Sequence, residues 1–244
     1  MKIVERSGKA DSTASTNGRE IGIVIPTRNE EDNLADVLSE LNKIGYENIL
    51  VIDGNSEDRT REVAREYGAK VVLQDGNGKG SAVRQVFNNG YVDADAVLLM
   101  DADGSMRPSE IPFFLAALNS GADIVKGSRF LKGGYTYDMN LLRRFGNFIF
   151  LSLVNLFWST RYTDLCYGFG VFTKDAVKEI APVLKSANFE IETEIFIKAK
   201  KMGLKIVEIP SIESRRKHGK SNLKAFRDGF RIFKTIIREF IHAT

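Results

Sequence analysis

Two carboxylates separated by one residue, Asp101-Ala102-Asp103, close an uninterrupted apolar run from Ala96 to Met100. Carboxylates leaving one short turn together suit a hard divalent cation, Mg²⁺ or Mn²⁺, whose remaining ligands are phosphate oxygens. A D-x-D pair is common by chance, and its place at the end of a strand-like run is what singles it out. Two more polar segments stand in the same relation to apolar runs: Thr27 to Asp32 after Ile21-Gly-Ile-Val-Ile-Pro26, and Asp53 to Asp58 after Ile49-Leu-Val-Ile. Three such strand ends describe a site for a metal-bound nucleotide, although for Asp58 a helix N-cap is an equal alternative. Gly78-Lys79-Gly80 combines close backbone approach with a point charge, or is a turn carrying a solvated lysine. The most basic run is Arg215, Arg216, Lys217, His218 and Lys220, and the planar arginine fork matches phosphate geometry.

The elements that position these residues follow from apolar periodicity. Leu34, Val37, Leu38 and Leu41 mark a helix after the first strand; Asp58 to Tyr67 marks a second, Lys70 to Leu73 a third strand, and Gly80 to Asn89 a third helix. Alternating helices and unbroken apolar strands predict an α/β fold, a mostly parallel Rossmann-like sheet with helices on both faces and its ligand site beyond the carboxyl ends of the strands. The second half carries a Gly-Tyr-rich loop at 133–138, an amphipathic stretch from Leu141 to Trp158, a helix around Glu190 to Met202 and a strand at Ile206 to Pro210. No linker divides the halves. The expected organisation is a polar tail over 1–20, one domain over 21–222 and a C-terminal helix over 223–244. On that helix Phe226, Phe230, Phe233, Ile237 and Phe240 share a face, with Lys224, Arg227, Arg231, Lys234 and Arg238 around the rest. This pattern suits an anionic membrane surface, or equally a terminal helix packed on the core.

Composition bounds the function classes. The 244 residues are 43% hydrophobic and 27% charged, as in a globular protein, and the net charge of +3 is too small for bulk nucleic-acid binding. A single cysteine, Cys166, excludes an internal disulfide and leaves a reducing, cytoplasmic compartment as the expectation. The longest apolar stretch, Phe145 to Trp158, is shorter than the roughly 20 residues that span a bilayer.

The ordered set Ile25-Pro26-Thr27-Arg28-Asn29-Glu30, Val51-Ile52-Asp53-Gly54-Asn55-Ser56-Glu57-Asp58, Gly78-Lys79-Gly80, Asp101-Ala102-Asp103-Gly104, Gly127-Ser128-Arg129, Thr163-Asp164 with Gly168-Phe169, and Arg216-Lys-His-Gly219-Lys-Ser221 resembles the GT-A glycosyltransferases of family 2. Within them it resembles the dolichyl-phosphate mannose synthase and polyprenyl-phosphate glycosyltransferase group. The resemblance implies a nucleotide-sugar site in which Pro26, Arg28 and Glu30 line the nucleoside pocket and Asp53 accepts from the base, either uracil or guanine. It places Lys79, Gly80, Ala102 and Arg216 near the diphosphate, and Asp101 and Asp103 on Mg²⁺ or Mn²⁺. Some mannose synthases add a glutamine two residues after the second Asp; Ser105 stands here and becomes the candidate third ligand.

On the acceptor side the resemblance implies a dolichyl or polyprenyl phosphate held by Arg129, one of Arg143 and Arg144, and Ser221. A lipid phosphate is already ionised and attacks without a protein base. Asp164 is the remaining candidate base, weighed as a positioning residue, and Glu192 is a further carboxylate that could approach the site. The implied activity is inverting, metal-dependent transfer of a hexose from a GDP- or UDP-sugar at the cytoplasmic membrane face, peripherally or with a membrane-protein partner. The alternatives are a family 2 transferase acting on a soluble sugar or glycan hydroxyl, and a non-catalytic nucleotide-sugar-binding module. Trp158-Ser-Thr-Arg161 is not the Gln-x-x-Arg-Trp of processive synthases, and a sugar nucleotidyltransferase would open with a glycine-rich segment where Pro26 to Glu30 stands.

Overall fold

A computed structural model describes residues 19–219 and 223–242. Most of the expected tail, and Ser221, lie outside them. The fold alternates strands and helices: β1 (Ile21–Thr27), α1 (Glu31–Lys43), β2 (Ile49–Asp53), α2 (Thr60–Glu66), β3 (Lys70–Leu73), α3 (Lys79–Asn89), β4 (Ala96–Leu99), α4 (Ile111–Asn119), β5 (Ile124–Ser128), β6 (Tyr135–Thr136), α5 (Leu141–Trp158), β7 (Gly170–Thr173), α6 (Lys174–Ile180), α7 (Ile191–Lys201), β8 (Ile206–Pro210), β9 (Ile212–Glu213) and α8 (Ala225–Ile241).

Seven strands form one sheet in the order β3-β2-β1-β4-β7-β5-β8. Only β7 runs antiparallel, between β4 and β5. The apolar runs of β1, β2 and β4 are continuous because both sheet faces are covered. One face packs Ile23, Ile25 and Val51 on Leu34, Leu38 and Leu41 of α1 and Phe114 of α4. The other packs Val24, Leu50 and Ile52 on Val83 and Val86 of α3 and Ile195 of α7. A third cluster, Val154, Leu165, Ile197, Ile232 and Ile236, joins α5, α7 and α8.

Sequence periodicity finds β1 to β4, α5, α7 and β8 but not β5, β7, α4 or α6, whose short runs carry no clear alternation. The C-terminal helix packs on α5 and α7, and the face it turns inward is not its aromatic one. Ile232 and Ile236 face inward with Asp228, Thr235 and Glu239, whereas Phe226 is 83% exposed and Phe230 69%. No helix among the described residues is long and apolar enough to cross a membrane.

Candidate active site

The carboxyl ends of β1, β2 and β4 open into a cleft of about 830 Å³. Its floor is set by two turns laced together: Asn29, at φ 54°, donates its backbone N–H to Ser56 Oγ at 2.9 Å and accepts from Glu57 N at 2.8 Å. Glu30 N donates to Thr60 Oγ1, and Asp58 Oδ1 accepts from Thr60 N at 3.0 Å, so Asp58 holds the start of α2 from one residue ahead of its N-cap, Arg59. Asp53 lies beneath this floor. It is fully buried and accepts from Ser56 N at 3.0 Å and from the Ser56 hydroxyl, so Gly54 rather than Asp53 lines the cleft. Pro26, Arg28 and Glu30 do line it, with Arg28 exposed at the rim and without an ion pair among the described residues.

Asp101 and Asp103 face the same cleft, each already met by a cation. Lys79 Nζ lies 2.5 Å from Asp101 Oδ1 and 2.6 Å from Glu192 Oε1. Arg216 Nη1 lies 3.5 Å from Asp103 Oδ2, while Nη2 is bonded to Glu30. Burial works against a charged Lys79, but Asp101 and Glu192 outweigh it and raise its pKa above the ordinary lysine value. Burial, reinforced by Asp101, raises Asp103 above the usual carboxylate range. Burial likewise raises Glu192, opposed by Lys79. Ser105 donates its N–H to Asp103 Oδ1 at 3.0 Å and its hydroxyl bonds the same carboxylate.

The basic loop is anchored to the fold, although Arg215, Lys217 and His218 remain exposed. Ser214 N donates to Ser105 O at 2.8 Å, Lys217 pairs with Asp36 at 2.9 Å, and His218 N donates to Asn33 Oδ1 at 3.0 Å. This brings Arg216 over the Asp101-Ala102-Asp103 turn. Gly78 lines the cleft, as expected, whereas Gly80 does not. A Cβ on Gly80 would meet Ser186 O at 2.5 Å, so these glycines admit the 186–188 backbone, and Lys79 at the start of α3 is what enters the cleft. Gly168 has a matching reason: its Cβ would overlap Lys79 Nζ and Glu192 Oε1.

On the acceptor side the structure separates the arginines. Arg129 donates through Nε to Asp164 Oδ2 at 2.7 Å, through Nη2 to Asp164 Oδ1 at 3.0 Å and Cys166 O at 2.8 Å, and through Nη1 to Glu213 Oε1 at 3.0 Å. It stacks on Tyr167 at 4.6 Å and is 5% exposed. Four of the five N–H groups of a guanidinium are thereby engaged, which leaves one for an incoming phosphate. Asp164 is fully buried and does not line the cleft. Burial alone would raise its pKa, but Arg129 outweighs burial and lowers it. Asp164 thus holds Arg129 from outside the cleft lining, an arrangement that fits a positioning residue better than a base in contact with an acceptor. Arg143 lines the cleft, with Asp138 3.9 Å away, whereas Arg144 reaches Thr136 O and does not line it.

Two contributors escape sequence reasoning. Glu213 reaches Arg129 only because β6 pairs with β9, a two-residue ladder that leaves no periodic signal. Lys126 is buried with Nζ 2.8 Å from Glu208, whose other oxygen accepts from Thr163 N, so this pair fixes the segment carrying Asp164. The far wall of the cleft is apolar, with Leu142, Phe145 and Phe150 from α5 and Phe226 and Ile232 from α8.

Among the described residues no cluster of three or more His, Cys, Asp or Glu side chains gathers around one point to hold a metal ion. The donor set nevertheless fits Mg²⁺ or Mn²⁺: two hard carboxylates, one raised in pKa by burial and the other's charge, leave the remaining coordination positions to phosphate oxygens.

Residues 22–181 match Glycosyl transferase family 2. The chain is 36% identical over 219 residues to the glycosyltransferase AglJ of Haloferax volcanii, covering 88% of this chain and 70% of that protein. It is 31% identical to a dolichyl-phosphate hexose transferase of the same organism, covering 90% and 93% of the two chains. It is 33% identical to a dolichol-phosphate mannosyltransferase of Pyrococcus furiosus, covering 84% of this chain and 59% of that one. In fold it matches glucosyl-3-phosphoglycerate synthase from Mycobacterium tuberculosis solved with UDP, at a TM-score of 0.75 and 18% identity over 97% of this chain and 86% of that one. With the strand-end carboxylates, the laced turns and the GT-A sheet in place, these similarities show that the chain belongs to glycosyl transferase family 2.

Proposed function

We propose that this glycosyltransferase moves a hexose from a nucleotide sugar to a dolichyl or polyprenyl phosphate, with inversion and with a divalent metal, at the cytoplasmic face of a membrane. The observation that carries this reading is that every carboxylate lining the cleft among the described residues is ion-paired. Glu30 and Asp103 face Arg216, Asp101 and Glu192 share Lys79, Glu213 meets Arg129, Asp138 faces Arg143 and Asp228 meets Arg231. An alcohol acceptor needs a carboxylate to take its proton; a phosphate monoester arrives ionised and needs none. The apolar wall beside Arg143 suits a polyprenyl chain leading to that phosphate. Names of the relatives support the same acceptor class.

In this mechanism Pro26, Arg28, Gly54 and Glu30 seat the nucleoside, and Asp53 acts from beneath by fixing the turn. Arg216 and Lys79 donate to the diphosphate as it leaves, where negative charge develops. Asp101 and Asp103 would hold Mg²⁺ or Mn²⁺, which when bound would supply Lewis-acid neutralisation of that charge. Ser105 orients Asp103 rather than ligating. Arg143, helped by the last free N–H of Arg129, holds the acceptor phosphate opposite the departing group, and single displacement inverts the anomeric centre.

The test offers GDP-mannose and UDP-glucose to short polyprenyl phosphates with Mn²⁺, Mg²⁺ or EDTA and measures label in the organic phase. Metal-dependent lipid label, reduced at least about 10²-fold in Asp103→Ala, is expected. Label found only in soluble acceptors would overturn the lipid assignment and the role of Arg143.

A further inference from the structure

Each carboxylate of the Asp101-Ala102-Asp103 turn faces a cation, and each of those cations has a second carboxylate to rest on. Lys79 sits between Asp101 at 2.5 Å and Glu192 at 2.6 Å; Arg216 sits between Asp103 and Glu30. The two are not equivalent. Arg216 stands 3.5 Å from Asp103, whereas Lys79 is at direct ion-pair distance from Asp101.

The position of Lys79 is built in from three directions. Its backbone opens α3 and is pinned where Gly80 presses on the 186–188 loop and Ser81 N donates to Ala187 O at 3.1 Å. Glu192 comes from the first turn of α7. Gly168 leaves room for the pair, since any Cβ there would overlap both Nζ and Oε1. An ammonium so placed and a divalent cation cannot both take Asp101 Oδ1 at contact distance without strong mutual repulsion.

We propose that Lys79 is a resident counter-cation of Asp101 that suppresses metal binding to the empty site, so that the metal is held strongly only together with a diphosphate. Glu192 is the seat that keeps the ammonium in place when Asp101 turns to the metal. The diphosphate changes the balance because it adds negative charge that serves the metal and Lys79 together. This rests on the reading that Asp101 and Asp103 hold a divalent metal, and it adds a role for Lys79 and Glu192 before any sugar is transferred.

The experiment titrates the full chain with Mn²⁺, reading free Mn²⁺ by electron paramagnetic resonance, with and without GDP or UDP. The proteins are wild type, Lys79→Met, the double variant Lys79→Met/Glu192→Gln, and Asp101→Asn as the control for the site. Wild type is expected to bind Mn²⁺ weakly alone and at least about tenfold more tightly with a nucleoside diphosphate. Lys79→Met is expected to bind Mn²⁺ alone about tenfold more tightly than wild type, with a correspondingly smaller gain from the nucleotide. Misfolding or a merely structural role for Lys79 would weaken binding, so a gain has the opposite sign. Lys79→Met binding Mn²⁺ no more tightly than wild type would overturn the proposal. It also falls if the double variant loses the whole gain, because Glu192 would then have been recruited as a ligand. If wild type with nucleotide binds no more Mn²⁺ than Asp101→Asn, the metal-site reading itself fails, and the counter-cation role with it.

Discussion

Asp164 and Arg129 are buried together, and the pair decides how the acceptor side is held. Replacing one partner leaves an uncompensated charge in the interior, so Asp164→Asn is expected to cost about 3–5 kcal/mol, read by urea unfolding. The pH dependence has a definite sign. Because Arg129 holds the Asp164 carboxyl below its ordinary value, its stabilisation is complete above the usual carboxylate range and is lost as pH falls through the lower folded value. Acid titration of unfolding free energy should thus be flatter in Asp164→Asn than in wild type. Cys166 illustrates the converse, since it is half-buried against the cleft and desolvation pushes its thiol up to about 12. At pH 8 it is expected to react with a disulfide reagent much more slowly than a free thiol. A stoichiometric reaction within minutes in the folded state would count against this.

At the scale of elements, a helix's inward face need not be its most apolar one. α8 docks on α5 and α7 through Ile232 and Ile236, so Ile236→Ala is expected to destabilise by about 2–4 kcal/mol in thermal or urea unfolding. Its aromatic edge faces outward, and Phe226 with Phe145 lines the mouth of the cleft. Several of the cations that seem available for lipid are already committed: Arg238 pairs with Glu194 and Glu239, and Arg231 with Asp228. Gly168 connects α3 to α7 through the space it leaves. Gly168→Ala is expected to displace the Lys79 and Glu192 side chains and lower transfer about 10²-fold with little change in stability, checked by assay beside thermal unfolding.

For the whole molecule, α5 and α8 each bring an exposed phenylalanine to the cleft, Phe145 and Phe226, and each carries another on its outer surface. Phe145 is 62% exposed and Phe148 64%, and they join Phe226 and Phe230. Exposed aromatic residues on two packed helices suit an interaction surface, and under the proposed lipid acceptor a membrane is the partner to test. Burying one phenylalanine contributes about 1.5–3 kcal/mol, so Phe226→Ala/Phe230→Ala should weaken partition to vesicles roughly 10²-fold or more. Vesicle cosedimentation checks it, and unchanged partition with unchanged stability would remove these helices from the membrane contact. With much of the basic charge of α8 paired internally, added salt should weaken partition only modestly.

Much of this was legible in the chain itself. Long apolar runs ending in polar turns determined the parallel strands, and with them the crevice that collects Asp101, Asp103 and Pro26 to Glu30, because strand direction fixes where such ends converge. The order of the motifs identified the family. Tertiary structure alone decided which like residues do different work: Arg129 against Arg143 and Arg144, Asp164 as anchor, and Glu192 turned onto Lys79. It also turned the aromatic face of α8 outward. Periodicity specifies a face but not what covers it, and ion pairing depends on residues separated by as much as 186 positions, which only the folded chain brings within reach.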